Sequence, residues 1–205
     1  KITFINEMAD LCEKVGANVQ DVAKGIGLDG RIGPKFLHPG PGYGGSCFPK
    51  DTLALAQSGR QHAAPVRIVE TVIEVNDARK RRMAERILDA LGDRPAGKRV
   101  AVFGVTFKPD TDDMRDAPAL VIVPALVGAG VAVTLCDPQG RREGEALLPG
   151  AAWEEDPYRA AEGADAVVVL TEWNMFRGLD LARLRGGMAG DALIDLRNIY
   201  RPAEA

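Results

Sequence analysis

The chain has 205 residues, of which 26 are basic and 29 acidic, for a net charge of −3, with 46% apolar and 27% charged positions. These are the proportions of a folded globular chain and exclude a disordered one, and the near-neutral balance lacks the basic footprint of a nucleic-acid binder. No apolar run approaches the roughly 18–20 residues of a membrane span, so neither nucleic acid nor membrane is expected as a partner. Cys12, Cys47 and Cys136 stand at wide, unmatched spacings. That is neither a disulfide framework nor a zinc ligand set, so the expectation is no metal and a reducing, cytoplasmic setting.

Taken in chain order, Ile5, Met8, Cys12 and Val15 follow the three-and-four spacing of one helical face, with Gly16 as its stop. Nothing before Lys1 could cap this helix, and the chain starts without methionine, so it reads as a piece of a longer protein. A second helix is capped by Asn18 and buries Val19, Val22, Ala23 and Ile26. Residues 29–48 are expected to form a glycine- and proline-rich loop, and long ordered loops of this kind usually carry function. A helix should start at Pro49 and run to about Gly59. A longer one should begin at Pro65, with Val66, Val69, Val72 or Ile73, Asn76, Met83, Ile87, Leu88 and Leu91 on its stripe. The polar stretch 92–98 reads as a boundary.

Beyond it the period changes. Val100–Val105 is a continuous apolar run, as expected for a strand buried on both faces. Further strands are expected at 131–136, 166–170 and 192–195, with a helix from about Ala117 to Ala129 between the first two. Pro124 inside that helix implies a kink or a late start. The first half is therefore all-helical and the second half α/β with a parallel sheet.

Two segments could carry chemistry. The first strand runs into Phe107–Arg115, where Lys108 and Arg115 beside a helix start suit an anion, or else form a solvated charged loop. Asp137, at the end of the second strand, has the place of a ribose-binding acid. The fingerprint G-x-G-x-x-G is missing, however, and Gly104 stands alone, which disfavours nicotinamide-cofactor binding by this half. The second segment is Gly40–Asp51, which places Cys47 at the positive end of a helix with Lys50 close by. Such an environment favours a thiolate and a nucleophile; the alternative is a buried cysteine in a tight turn. Asp51, one turn along, could orient water. Cys12 and Cys136 fall on core positions. His38 and His62 lack the context of a cysteine-hydrolase base, which leaves thiol hydrolysis disfavoured.

The segments Phe4–Glu7, Arg31–His38 and Gly40–Asp51, with Gly104–Arg115, Cys136–Pro138 and Thr171–Phe176, resemble the UDP-glucose/GDP-mannose dehydrogenase family over nearly the whole chain. The resemblance implies an all-helical dimerisation domain, residues 1–91, joined by a long helix to a Rossmann-like parallel α/β UDP-binding domain, residues 97–205. It implies oxidation of the C6 alcohol of a nucleotide sugar to a carboxylate with two NAD⁺ per turnover, UDP-glucose being the favoured substrate. GDP-mannose or a UDP-N-acetyl-hexosamine are the alternatives, and a non-catalytic nucleotide-sugar-binding or dimerisation module is the rival from outside the enzyme class. Cys47 becomes the nucleophile that holds the aldehyde as a thiohemiacetal and then a thioester, and Asp51 the residue that positions the hydrolytic water. Phe36, Leu37, His38, Pro39, Gly40, Tyr43 and Gly44 match the loop around the sugar nucleotide. Lys108 and Arg197 match substrate contacts, Arg31 a residue that reaches the substrate of the neighbouring subunit in a homodimer, and Lys50 and Arg115 residues near NAD. The family's N-terminal cofactor domain, with its glycine fingerprint and catalytic lysine and asparagine, is expected upstream of Lys1, so this chain alone should not turn over.

Overall fold

An apolar stripe at three-and-four spacing produces α1, Ile2–Val15, whose Ile5, Ala9 and Cys12 are buried. Gly16 ends it in the left-handed conformation at φ 70°, which glycine adopts without steric penalty. Asn18 caps α2, Val19–Gly27, by accepting the Gln20 N–H at 2.9 Å. Together α1, α2 and Leu37 enclose the helical core. After the loop, α3 covers Cys47–Gln61 and α4 covers Arg67–Leu91.

The computed structural model describes residues 1–201, so positions 202–205 of the second expected unit lie outside the described residues. Its sheet has β1, Arg99–Phe103, at the centre, flanked by β2, Ala132–Cys136, and β4, Ala166–Val169. The short β3, Ala152–Trp153, and β5, Ala192–Asp195, form the edges, and every pairing is parallel. Alternation along β1 sends Val100 and Val102 to one face and Ala101 and Phe103 to the other. Val100 and Val102 meet α5, Ala119–Gly128, through Ile122 and Leu126. Met83, Ala84 and Ile87 from the second half of α4 enter that same core. Against the other face pack α7, Pro157–Ala160, α8, Asn174–Arg177, and α9, Leu181–Gly187, while α6, Arg141–Leu147, precedes β3.

Several expected boundaries shift for local reasons. Helix α3 starts at Cys47 rather than Pro49, because a proline within the first turn removes an N–H that has no intrahelical partner anyway. Helix α4 starts at Arg67 rather than Pro65. Helix α5 starts at Ala119, later than expected, and carries Pro124 inside it. The short helices α6 to α9 and the two-residue β3 span too few residues to print a period.

Gly104 follows β1 at φ +84°, and a Cβ built there would lie 2.4 Å from Thr171 Cβ. Gly104→Ala should therefore destabilise by about 2–4 kcal/mol from backbone strain plus overpacking. Urea unfolding should show a lowered midpoint with the slope unchanged; an unaltered midpoint would refute the argument.

Candidate active site

The loop between α2 and α3 crosses α4 and then runs along the segment after β1. Its route is set by backbone bonds to buried polar side chains. The Gly40 N–H donates to Asn6 Oδ1 at 2.8 Å, and the Gly40 carbonyl accepts from Arg79 Nε. Arg79 also donates to the Asn6 carbonyl at 2.9 Å and to Asp10 Oδ1 at 2.8 Å, so one guanidinium joins α1, α4 and the loop. Burial lowers the pKa of Arg79 from its ordinary value, and the pull of Asp10 works against that. Asn76 brackets the next part of the loop, accepting the Tyr43 N–H and donating to the Tyr43 carbonyl.

The loop then meets the 106–116 segment backbone to backbone. The Gly45 N–H donates to the Arg115 carbonyl at 2.7 Å. A Cβ on Gly44 would lie 2.4 Å from the Asp116 carbonyl oxygen, so no side chain fits there. Asp116 itself sits at φ 49°, and its carbonyl accepts from Lys80 Nζ at 3.1 Å. Lys80 is buried, which lowers its pKa below the ordinary lysine value.

This path delivers Cys47, exposed, to the first position of α3. Lys50 and Arg115 interact with it electrostatically. Each already has an acidic partner. Lys50 Nζ lies 2.6 Å from Asp51 Oδ1, and this hydrogen bond raises the Lys50 pKa. Arg115 grips both oxygens of Asp113, holding that carboxyl below its usual range.

A cleft of 430 Å³ between the loop and the segment after β1 brings together Phe36, His38, Tyr43, Gly44, Lys108 and Arg197. Phe48, the neighbour of Cys47, forms part of its wall and meets the rings of Phe36 and Tyr43 edge-on at 5.9 and 6.0 Å. Lys108 lies over the Phe107 ring, 5.4 Å from its centroid. A second, more polar cleft of 430 Å³ shares His38, Glu172 and Arg197 and is lined by Pro39. Gly40 packs under the Arg197 guanidinium, and Leu37 points into the helical core. Arg197 donates to the carbonyls of Leu170 and Phe107, and its Nε lies 3.2 Å from Glu172 Oε2. Burial lowers its pKa below the usual arginine value despite Glu172. Arg31 lies outside both clefts, exposed and paired with Asp29 at 2.6 Å.

Asp137 stands where an acidic residue could bind a ribose, but protein donors occupy both of its oxygens. One oxygen accepts from the N–H groups of Val105 and Thr106 and from Trp173 Nε1; the other accepts from Gln139 and Gly140. Its acceptors are committed to joining the ends of β1, β2 and β4. Asn6, Asn76, Arg79, Lys80 and Glu172 were not evident as site residues from the sequence. The available signal was Asn76, a polar residue on an otherwise apolar stripe.

Residues 1–78 match the central domain of the UDP-glucose/GDP-mannose dehydrogenase family, and residues 101–202 match that family's UDP binding domain. A UDP-glucose 6-dehydrogenase of Rhizobium meliloti (strain 1021) is 61% identical over 100% of this chain and 47% of its own length. One from Pseudomonas aeruginosa is 44% identical over 99% of this chain and 46% of its own length. A solved UDP-glucose dehydrogenase from the hyperthermophilic archaeon Pyrobaculum islandicum has TM-score 0.89 at 32% identity, over 100% of this chain and 46% of that one. The chain thus spans about half the length of the curated relatives it matches. With both family domains matched in order along it, the chain belongs to the UDP-glucose/GDP-mannose dehydrogenase family.

Proposed function

We propose that this chain forms the nucleophile and nucleotide-sugar half of an enzyme that oxidises the C6 alcohol of UDP-glucose to the carboxylate with NAD⁺. The observation that carries the reading is Cys47. It is an exposed thiol at the first turn of α3, next to the Phe48 wall of the cleft and in the field of Lys50 and Arg115. The relatives' names and the UDP binding domain match supply the substrate class. In this reading residues 1–91 and 97–205 are the two working units, with α4 shared between them. The exposed apolar side chains Phe4, Leu11 and Val15 on α1, with Leu28 and Ile68, meet a second copy in a homodimer.

The UDP-sugar occupies the paired clefts, where Lys108 and Arg197 supply positive charge to the diphosphate. Both two-electron oxidations require a nicotinamide dinucleotide; in this reading Lys50 and Arg115, beside Cys47, lie near it, while the sheet of this chain does not fit that group. The turn after β1 carries Gly104 without the remaining fingerprint glycines, and Asp137 is taken up by protein donors. The steps assigned to this chain are therefore those on sulfur. The Cys47 thiolate adds to the aldehyde carbon, forming a C–S bond, and the carbonyl oxygen takes a proton. After oxidation at that carbon, water attacks the resulting thioester, the C–S bond breaks, and the carboxylate leaves as the thiol is restored. Asp51, paired with Lys50 and one turn along α3, orients that water.

Two outcomes are expected in a protein of the relatives' full length. UDP-glucose should yield two NADH per sugar oxidised, with GDP-mannose and UDP-N-acetyl-hexosamines turned over more slowly. Cys47→Ser should lower acid formation by about a thousandfold or more. Full acid formation by that variant would remove Cys47 from the mechanism, and faster turnover of another sugar nucleotide would replace the substrate.

A thiol-labelling time course checks the same site without turnover. Cys47 should alkylate in the native state while Cys12 and Cys136 react only in denaturant. Both of those are buried, and burial together with Asp137 pushes the Cys136 thiol up to about 12. Equal rates at the three cysteines would favour a non-catalytic binding module.

A further inference from the structure

We propose that Asn76 is a positioning residue for Cys47, acting through the peptide groups of Tyr43; its catalytic consequence rests on the functional reading above. Asn76 lies on the buried stripe of α4 at 3% exposure. An amide is stable there only if its polar atoms are paired. Both of its groups go to one residue: the Tyr43 N–H donates to Oδ1 at 2.8 Å, and Nδ2 donates to the Tyr43 carbonyl at 3.2 Å. The side chain thus pairs with Tyr43 as a neighbouring strand would, fixing the loop in position and in rotation about its own axis.

Close approach is secured just upstream. Gly42 has φ +126°, and a Cβ there would meet Lys80 Cγ at 3.0 Å and Asn76 Oδ1 at 3.2 Å. Downstream, the loop has no slack between this clamp and the sulfur. Gly44 is pressed against the Asp116 carbonyl, Gly45 donates to Arg115, and Cys47 begins α3. The Tyr43 ring offers a second route, since it meets Phe48, the residue bonded to Cys47. Arg79 and Asn6 grip the loop as well, but they also tie α1 to the assembly, so their loss would disturb the fold. The side-chain hydrogen bonds of Asn76, among the described residues, go to Tyr43. That separates positioning from folding.

The test compares the full-length protein with Asn76→Leu, which fills similar volume without hydrogen bonds, and with Ile122→Ala, a cavity in a core cluster that includes no residue of the loop. Melting temperature calibrates stability. The first readout is the fraction of sugar released as aldehyde, caught by an added hydrazine, relative to acid. This ratio is independent of how much enzyme is folded. The second is the alkylation rate of Cys47 with iodoacetamide, which needs no turnover. Asn76→Leu should raise the aldehyde fraction and lower kcat about tenfold or more, and should change the Cys47 alkylation rate by at least about threefold. Ile122→Ala should leave both the ratio and the alkylation rate unchanged even where it melts lower. If Asn76→Leu matches the unsubstituted protein in both readouts, or if Ile122→Ala shifts them equally, the positioning role is overturned. If the unsubstituted protein oxidises no nucleotide sugar, the functional reading falls while the alkylation comparison still decides the fate of Asn76.

Discussion

Arg79 is a buried guanidinium, and satisfying it dictates much of the surrounding structure. A charge removed from water is tolerated only when its donors are paired. Those of Arg79 reach Asp10 and the Asn6 carbonyl on α1 and the Gly40 carbonyl on the loop. Helix α1, helix α4 and the entry to the glycine-rich loop are thereby held at one point. Surface pairs extend the seam, with Arg82 to Asp10 and Arg86 to Glu13. Such exposed pairs contribute little individually. The buried donor set defines the arrangement, and the apolar stripe beside it supplies the stability.

Helix α4 changes character along its length. Its first half presents Asn76, Arg79 and Lys80 to the loop and to the Asp116 carbonyl. Its second half presents Met83, Ala84 and Ile87 to the sheet. One rigid element therefore carries the Cys47 loop on its polar end and anchors the sheet on its apolar end. Asp137 complements this from the far side by drawing the turns after β1 and β2 and the Trp173 ring together. The clefts lie between these two anchoring points, which is why side chains from residues 36–48 and from residues 107–197 line the same space.

Much of this architecture was legible in residue order. The α1 stripe with Gly16, the Asn18 cap, and the apolar runs of β1 and β4 each combine pattern with a terminating signal; the helices formed where expected, and the strands end at Phe103 and Val169, one or two residues short of their apolar runs. Helices α7 and α9 carry good caps in Asp156 and Asp180 but are too short for periodicity to register. The Cys47 loop stood out because its glycines have no other evident use. Its supports did not stand out: Arg79 and Lys80 are charged residues on a helix, and nothing local says that a loop more than thirty residues upstream will pack against them. Glu172 was hidden for the same reason, since its pairing with Arg197 depends on which strand ends become neighbours.

The approach of Gly44 to Asp116 has a consequence for how such a protein can change over generations. At that point two main chains touch with no side chain between them, so no rotamer can absorb a mismatch. Substitutions elsewhere around the clefts alter shape or charge while leaving the frame intact. Insertion or deletion of a residue within 40–46 or 107–116 would instead slide one backbone past the other and shift Cys47 relative to the cleft lining. Variation in this region is thus confined to side-chain identity at fixed spacing. New cleft shapes must come from the lining side chains, while the count of residues between the two contacts stays constant.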